Sequence, residues 1–159
     1  MSSDNQIRID VDLMRRDDLT EILAIERDAF TSPWTEGMFL DELRTTQAQC
    51  LVVRACMTGK VLIAGYIIFW MVADETHLHN LAVRKEFRRQ GLAASLLRLM
   101  KEIAAGVGIE KQTLEVRETN LAAIELYRKC GFVVKGRRPK YYTDTQEAAL
   151  IMWSGERQE

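Results

Sequence analysis

The sequence predicts an α/β (α+β) fold, in which a mixed, mostly antiparallel central sheet is flanked by helices. Some segments place apolar residues at every second position and others place them every three or four, the periods of strands and helices. These segments follow the order strand, two helices, three strands, helix, strand, helix and two strands. The strand–helix–strand portion from Leu78 to Val116 therefore predicts a right-handed parallel crossover.

Length and composition favour one domain that spans residues 1–159. The chain has 159 residues, of which 47% are hydrophobic and 28% are charged, values typical of globular proteins. The sequence contains no internal repeat, linker or low-complexity segment. We therefore expect a single folded domain.

The first part of the chain reads as a strand followed by two helices. Ile7–Leu13 alternates apolar and polar residues, which is the period of a half-buried strand. Leu19–Ala29 has helical spacing, and the preceding pair Asp17-Asp18 offers an Asp that can cap this helix. Pro33 ends the segment, and Thr35 fits the N-cap of a second short helix.

Three strands follow, with turns at 58–60 and 73–75; we place the strands at Cys50–Met57, Val61–Val72 and Thr76–Val83. In the third strand, Leu78 lies on one face by alternation, whereas Leu81 and Val83 lie on the other. This phase change is compatible with a bulge around His79-Asn80, or with a strand that is buried on both faces.

The second half begins with a helix that opens at Arg88–Gly91 and closes at Gly106 and Gly108. A short buried strand is expected at Thr113–Val116. The next helix is capped by Thr119 or Asn120 and runs to Cys130. Gly131-Phe132 then fits a Schellman ending, and two last strands are expected at Val133–Arg137 and Ala148–Trp153.

The charge and the basic residues argue against direct nucleic-acid binding. The formal net charge is −1, whereas non-specific nucleic-acid binders carry a strong basic excess. The basic residues near the C-terminal end have the pattern of a solvated face and are Lys135, Arg137, Arg138 and Lys140.

Metal, disulfide and membrane functions are also disfavoured. The three cysteines form no C-x-x-C pair, and His77 and His79 lack a third metal ligand. Met1–Asn5 lacks the apolar core of a signal peptide, and Val61–Ala73 is too short to span a bilayer as a helix. We therefore expect a cytoplasmic protein without a metal.

A turn between a strand and a helix has the properties of a pyrophosphate site. It consists of Arg88, Arg89, Gln90, Gly91, Leu92 and Ala93. The first turn of a helix has unpaired N–H groups and the positive end of the helix dipole. Gly91 lets the backbone approach a ligand, and the two arginines add positive charge. A basic helix start without a ligand remains an equal alternative from the spacing alone.

This turn resembles the acetyl-CoA motif of the GNAT acetyltransferase superfamily, written Q/R-x-x-G-x-G/A. The order of elements is also similar to that fold. Further similarity to the bacterial ribosomal-protein alanine N-acetyltransferases (RimI type) covers about residues 30–152 and rests on Pro33-Trp34-Thr35, Asn80-Leu81-Ala82-Val83, Leu114-Glu115-Val116-Arg117, Asn120-x-x-Ala123-Ile124-x-Leu126-Tyr127, Gly131-Phe132 and Arg138-x-x-Tyr141-Tyr142. The resemblance implies a GNAT-like sheet with a β-α-β core that binds acetyl-CoA, used as co-substrate.

Two residues are candidates for acid–base catalysis. Glu115 lies in an otherwise apolar strand, where a carboxylate is expected to be partly desolvated and can act as a general base. The residues alone slightly favour a surface glutamate paired with Arg117 or Arg84. Tyr127 could protonate the departing thiolate, although a helix tyrosine is more often a core aromatic. The resemblance implies the catalytic role for both residues.

The remaining candidate residues bind the two substrates. The resemblance implies that backbone near Val83, with Leu81 and Ala82, faces the thioester carbonyl. It also implies that Asn120 contacts the cofactor, though this residue can equally cap a helix. By resemblance, an acceptor channel is lined by Trp34, Tyr141 and Tyr142. Ordinary packing of loops on the sheet is the alternative for these aromatics, and for Tyr142 it is an equal one.

The resemblance implies acetyl transfer to a protein N-terminal α-amine, namely the alanine of ribosomal protein bS18. A lysine, an antibiotic or a polyamine remains an alternative acceptor, since a fold does not fix a substrate. A non-catalytic acyl-CoA sensor is the alternative of another class. A sensor would need neither Glu115 nor Tyr127.

Overall fold

The structure, a computed structural model, describes residues 7–155. Its strands are β1 (Arg8–Leu13), β2 (Ala48–Met57), β3 (Lys60–Val72), β4 (Glu75–Val83), β5 (Lys111–Arg117), β6 (Val133–Arg138) and β7 (Ala149–Ser154). Its α-helices are α1 (Leu19–Ala29), α2 (Glu36–Arg44), α3 (Leu92–Gly106) and α4 (Leu121–Lys129). The predicted order of elements is confirmed, and the ends differ by one or two residues. Met1–Asn5, where we expect no signal peptide, lies outside the described residues.

The strands form one seven-stranded sheet in the order β1-β2-β3-β4-β5-β7-β6. Antiparallel pairing dominates, and β4 and β5 are parallel neighbours. The predicted fold class and the parallel pairing of the strand–helix–strand portion are therefore confirmed. Among residues 7–155, no helix has the length and apolar character needed to cross a membrane.

The chain divides into two compact units, of which the first contains residues up to Ile68 and the segment Asn80–Ala93. In this unit β1 pairs with β2, from Arg8 opposite Cys56 to Leu13 opposite Leu51. Apolar residues of α1, α2 and the strands share one core, which includes Leu19, Ile22, Ile25, Phe39, Val52, Ile63, Tyr66, Ile68 and Ala82. Burial of these side chains stabilises the unit.

The second unit contains Phe69–His79 and the chain from Ala94 onward. The parallel register of β4 with β5 runs from Glu75 opposite Lys111 to Leu78 opposite Leu114. β7 pairs antiparallel with β5 on one side and with β6 on the other. Glu115 therefore comes directly after the last β5 residue of the parallel register.

Two of the predicted helix ends are confirmed by their hydrogen bonds. The Thr35 side chain accepts from the Met38 N–H at 3.3 Å, as an N-cap does. At the end of α4, the N–H of Phe132 donates to the Tyr127 carbonyl and that of Gly131 donates to the Arg128 carbonyl. Gly131 has φ +93°, so the Schellman ending is present.

The predicted Asp cap of α1 is wrong. Asp18 occupies the N-cap position, but its side chain makes no capping bond. Its carboxylate instead accepts from the Arg15 N–H and pairs with Arg54 at 2.8 Å. An arginine 36 residues away in sequence thus replaces the helix N–H groups as the partner of this carboxylate.

Thr76, Leu78, Asn80 and Ala82 are buried along β4, Leu81 is half-buried, and Val83 is buried directly after Ala82. The end of β4 is therefore buried on both faces, which agrees with the second of the two alternatives, and the bulge around His79-Asn80 stays a prediction. The polar Asn80 holds a core position that an apolar residue would ordinarily occupy.

Candidate active site

The predicted site residues fall into two groups, one in each compact unit. The first unit holds Trp34, the strand residues Leu81–Val83 and the turn Arg88–Ala93. The second unit holds Asn120 and the four residues Glu115, Tyr127, Tyr141 and Tyr142. The first group consists mainly of backbone at the end of β4 and the start of α3, whereas the second consists mainly of titratable side chains.

The predicted phosphate turn has a left-handed backbone at two positions. Arg89 has φ +61° and Gly91 has φ +78°, and α3 begins at the next residue, Leu92. No heavy atom lies within 4 Å of a Cβ built on Gly91. The start of α3 is therefore open to a ligand, and its first N–H groups have no helix carbonyl to bind. This arrangement fits a pyrophosphate.

The side chain of Arg88 turns back onto the protein. Its Nε donates to the Val83 carbonyl at 2.9 Å, and its Nη2 donates to Asp28 at 2.9 Å. These bonds link the end of β4 to the turn that follows it. Arg88 thus braces the backbone, whereas Arg89 is exposed beside Gly91.

The end of β4 lies directly against the backbone of β3. A Cβ on Gly65 would lie 2.8 Å from the Ala82 carbonyl oxygen and 3.5 Å from the Val83 Cα. Only glycine allows this approach. The same segment is held by Arg84, whose Nε donates to the Ile63 carbonyl at 2.6 Å and whose Nη2 donates to Glu21. The position of Ala82 and Val83 is therefore tightly defined.

Glu115 is exposed, with 33% of its side chain accessible. The alternation of β5 buries Leu114 and Val116 and turns Glu115 outward, and its side chain keeps only part of its contact with solvent, which is compatible with the expected partial desolvation. The expected partners Arg117 and Arg84 are wrong. Its carboxylate instead pairs with Arg138 at 3.3 Å, and it accepts a hydrogen bond that raises the pKa of the Tyr141 hydroxyl.

Tyr127 lies half-buried on α4, with its ring edge-on to Phe132 at 5.9 Å between centroids. Burial raises the pKa of Tyr127 to about 12, and the neighbouring Tyr142 and Cys130 add to the shift. The hydroxyl therefore stays protonated at neutral pH and can donate a proton or a hydrogen bond.

Tyr142 is placed by Arg117. The guanidinium lies 4.0 Å from the Tyr142 ring centroid, and it makes two bonds to the Asp144 carboxylate at 3.1 and 2.9 Å. Tyr141 meets Tyr142 at 90° with a centroid distance of 5.1 Å. Burial, with a smaller contribution from Glu115, raises the pKa of Tyr142 to about 12. In the second unit Tyr141 thus bonds to Glu115, Tyr142 lies within the influence of the Glu115 charge, and Tyr127 neighbours Tyr142.

Asn120 forms the helix cap that the sequence allows. Its Oδ1 accepts from the Ala123 N–H at 3.2 Å, at the start of α4. The exposed side chain keeps its amide N–H₂ group outside this cap bond. Capping and a cofactor contact are therefore compatible roles for Asn120.

Trp34 lies between α1 and α2, where its ring packs on Phe39 at 5.2 Å. Its backbone N–H donates to Oε1 of Glu26 at 3.0 Å. Glu26 is buried and was not among the predicted site residues. The sequence held one signal for it, because Glu26 follows Ile22 by four residues and so lies on the apolar stripe of α1.

The part of the chain that the structure describes contains no group of three or more His, Cys, Asp or Glu side chains arranged to hold a metal ion.

Comparison with known proteins identifies the family. Residues 19–132 match the Acetyltransferase (GNAT) family. The chain belongs to this family. GNAT enzymes transfer an acetyl group from acetyl-CoA to an amine, so the protein is an N-acetyltransferase with acetyl-CoA as its co-substrate. The pyrophosphate fit of the turn before α3 agrees with this cofactor.

Several GNAT relatives share a more specific name. A Bacillus subtilis protein named as a proposed ribosomal protein bS18-alanine N-acetyltransferase is 39% identical over 141 residues, 88% of this chain and 91% of the relative. The Escherichia coli enzyme of that name is 36% identical over 137 residues, 85% of this chain and 89% of the relative. A crystal structure of the Escherichia coli ribosomal-protein alanine N-acetyltransferase aligns with a TM-score of 0.81, 31% identity and 96% coverage of both chains.

Proposed function

We propose that this GNAT enzyme acetylates the N-terminal alanine of ribosomal protein bS18. The observation that carries the proposal is the similarity, over most of the chain, to proteins named for that reaction. A ribosomal-protein acceptor places the reaction in the cytoplasm. We also propose that residues 1–159 act as one catalytic domain, because the family match draws on residues of both compact units.

The proposed reaction joins the alanine nitrogen to the acetyl carbonyl carbon and breaks the carbon–sulfur bond of acetyl-CoA. The amine must lose a proton to attack, the carbonyl oxygen gains negative charge, and the sulfur leaves as a thiolate that takes up a proton. An exposed carboxylate and a protonated phenol are the groups that such a reaction uses.

Glu115 is the proposed general base. A carboxylate has about four acceptor sites, so its bonds to Arg138 and Tyr141 leave room for an ammonium group or a bridging water. Its exposure allows a peptide end to reach it. Loss of such a base ordinarily costs about 10²–10⁴-fold in rate.

Tyr127 is the proposed donor to the leaving sulfur. A phenol whose pKa is about 12 is protonated throughout the neutral range. Full proton transfer to a thiolate of pKa about 8.5 would be uphill. The hydroxyl therefore acts first as a hydrogen-bond donor that stabilises the charge developing on sulfur.

The other predicted residues take binding roles in this proposal. We assign the pyrophosphate to Arg89–Ala93, with Arg88 bracing the turn, and the thioester to the backbone of Leu81–Val83. Asn120 contacts the cofactor through the group that its helix cap leaves unused. Trp34, Tyr141 and Tyr142 contact the acceptor peptide.

A panel of acceptors tests this function directly. The protein is incubated with acetyl-CoA and with a peptide carrying the bS18 alanine terminus, the same peptide with a blocked terminus and a free internal lysine, or spermidine, and the products are weighed by mass spectrometry. Acetylation confined to the free alanine terminus is expected. Transfer only to lysine or spermidine would contradict the N-terminal alanine as the acceptor. Acetyl-CoA binding without any transfer would favour the alternative that the protein is a non-catalytic acyl-CoA sensor.

A further inference from the structure

The buried carboxyl of Glu26 lies at the centre of a hydrogen-bond network in the first compact unit. Its residue is 1% exposed. Its Oε2 accepts from the hydroxyl of Tyr66 and from Nδ2 of Asn80, the latter at 3.0 Å. Its Oε1 accepts from the backbone N–H of Trp34, also at 3.0 Å. All three donors are uncharged.

The three donors come from three different parts of the unit. Tyr66 belongs to β3, Asn80 belongs to β4, and Trp34 belongs to the connection between α1 and α2. One carboxyl on α1 therefore fixes a loop relative to two strands. The aromatic rings of the same region support this arrangement, because Phe39 contacts both the Trp34 ring and, edge-on, the Tyr66 ring at 5.9 Å.

Fold stability alone does not account for a carboxyl at this position. Burying a carboxyl is costly even when it is hydrogen-bonded, and an apolar residue of similar size is often as good or better for stability. The α1 residues Ile22 and Ile25, which share this buried face with Glu26, are apolar. What the carboxyl supplies, and a leucine cannot, is the placement of Trp34 and Asn80.

We propose that Glu26 is a positioning residue for acceptor binding. It holds the backbone of Trp34 so that the indole can receive the acceptor peptide, while its other oxygen satisfies the buried Asn80 amide. This inference rests on the proposed function, because it takes the peptide contact of Trp34 from there. Glu26 itself touches neither substrate in this account.

Three variants separate positioning from simple loss of packing. Glu26→Leu removes both acceptor oxygens at similar volume. Glu26→Gln keeps an oxygen for the Trp34 N–H, while its amide can meet the Tyr66 hydroxyl and a turned Asn80 amide. Tyr66→Phe is the matched control, since it removes one hydrogen bond from Glu26 but leaves the Trp34 bond in place.

The experiment measures KM for the alanine-terminated peptide, kcat, acetyl-CoA affinity by calorimetry and the melting temperature. Glu26→Leu is expected to raise the peptide KM by about 10-fold or more with unchanged acetyl-CoA affinity. Glu26→Gln and Tyr66→Phe are expected to stay within about threefold of wild type. Amide exchange at Trp34 should accelerate in Glu26→Leu only.

Different results would overturn the proposed function and the positioning role of Glu26. A wild-type protein that does not acetylate the peptide would overturn the proposed function, and this inference with it. An active wild type whose peptide KM is unchanged by Glu26→Leu would overturn the inference alone. So would equal losses in Glu26→Leu and Tyr66→Phe, or a matching loss of acetyl-CoA affinity, because both would indicate general damage to the core.

Discussion

Replacing Gly65 by alanine is expected to impair the use of acetyl-CoA more than it impairs the fold. The new Cβ would lie 2.8 Å from the Ala82 carbonyl oxygen, a backbone atom, with Val83 Cα at 3.5 Å and Leu92 Cδ2 at 3.6 Å. To relieve this clash, β4 must move away from β3 by roughly half an ångström. Overpacking of this kind costs about 1–3 kcal/mol, which the lower entropy of the unfolded alanine chain offsets by up to about 1 kcal/mol.

With the full offset the net cost is about 0–2 kcal/mol, which corresponds to a melting temperature lower by up to about 8 °C. Because a 1 Å misplacement can cost about 100-fold in rate, half that shift at Ala82 and Val83 predicts a roughly tenfold lower kcat/KM for acetyl-CoA. Steady-state kinetics and thermal unfolding measure both quantities.

Gly106→Ala is the matched control, because its Cβ would meet no heavy atom within 4 Å at the end of α3. It should leave kcat/KM within about twofold of wild type. If Gly65→Ala also retained wild-type kcat/KM, Ala82 and Val83 would not position the thioester, and the reasoning would fail.

Three further predictions concern other parts of the site. Burial raises the pKa of Tyr127 to about 12, so its hydroxyl stays protonated below that pH. In a plot of kcat against pH, the wild-type and Tyr127→Phe enzymes should therefore show the same alkaline limb up to about pH 11. Arg117→Lys loses the two-bond pair with Asp144 and the stacking on Tyr142; we expect the peptide KM to rise by about fivefold, with calorimetric acetyl-CoA affinity unchanged. Gly91→Val forces a branched side chain to φ +78°, which costs about 1–2 kcal/mol in thermal unfolding, and calorimetry should show acetyl-CoA affinity reduced by at least about tenfold.

Local sequence signals predicted the framework well. The order of strands and helices follows from periodicity, and the caps at Thr35 and Asn120 follow from residue types that bond within three positions. The left-handed backbone at Gly91 and Gly131 likewise follows from a glycine at a helix boundary. Such features depend on neighbours in the chain, which a sequence displays directly.

Local sequence signals did not predict the ion pairs between residues that are distant in sequence. Glu115 pairs with Arg138, 23 residues further along the chain, although Arg117 is nearer in sequence. The Asp18 carboxylate binds Arg54 instead of capping α1. In each case the tertiary fold brings together charged groups that lie far apart in sequence, and periodicity alone does not show which of them pair.

Buried polar residues were the other source of error. Asn80 and Glu26 occupy core positions and satisfy each other. Each polar residue taken alone argues for exposure, and this kept Glu26 out of the predicted site. The hydrogen bond between Asn80 and Glu26 explains why these polar residues can lie in the core.

The most direct test of the proposed catalysis compares Glu115→Gln with Glu118→Gln. Glu118 is a close control, because it too is partly exposed in the second unit and pairs with an arginine, Arg137, at 2.8 Å. The measurement is kcat on the bS18 alanine peptide, with acetyl-CoA affinity checked by calorimetry. Glu115→Gln is expected to lower kcat by about 10²–10⁴-fold at unchanged cofactor affinity, while Glu118→Gln is expected to stay within about twofold of wild type. Wild-type turnover in Glu115→Gln would contradict the proposed role of Glu115 as general base.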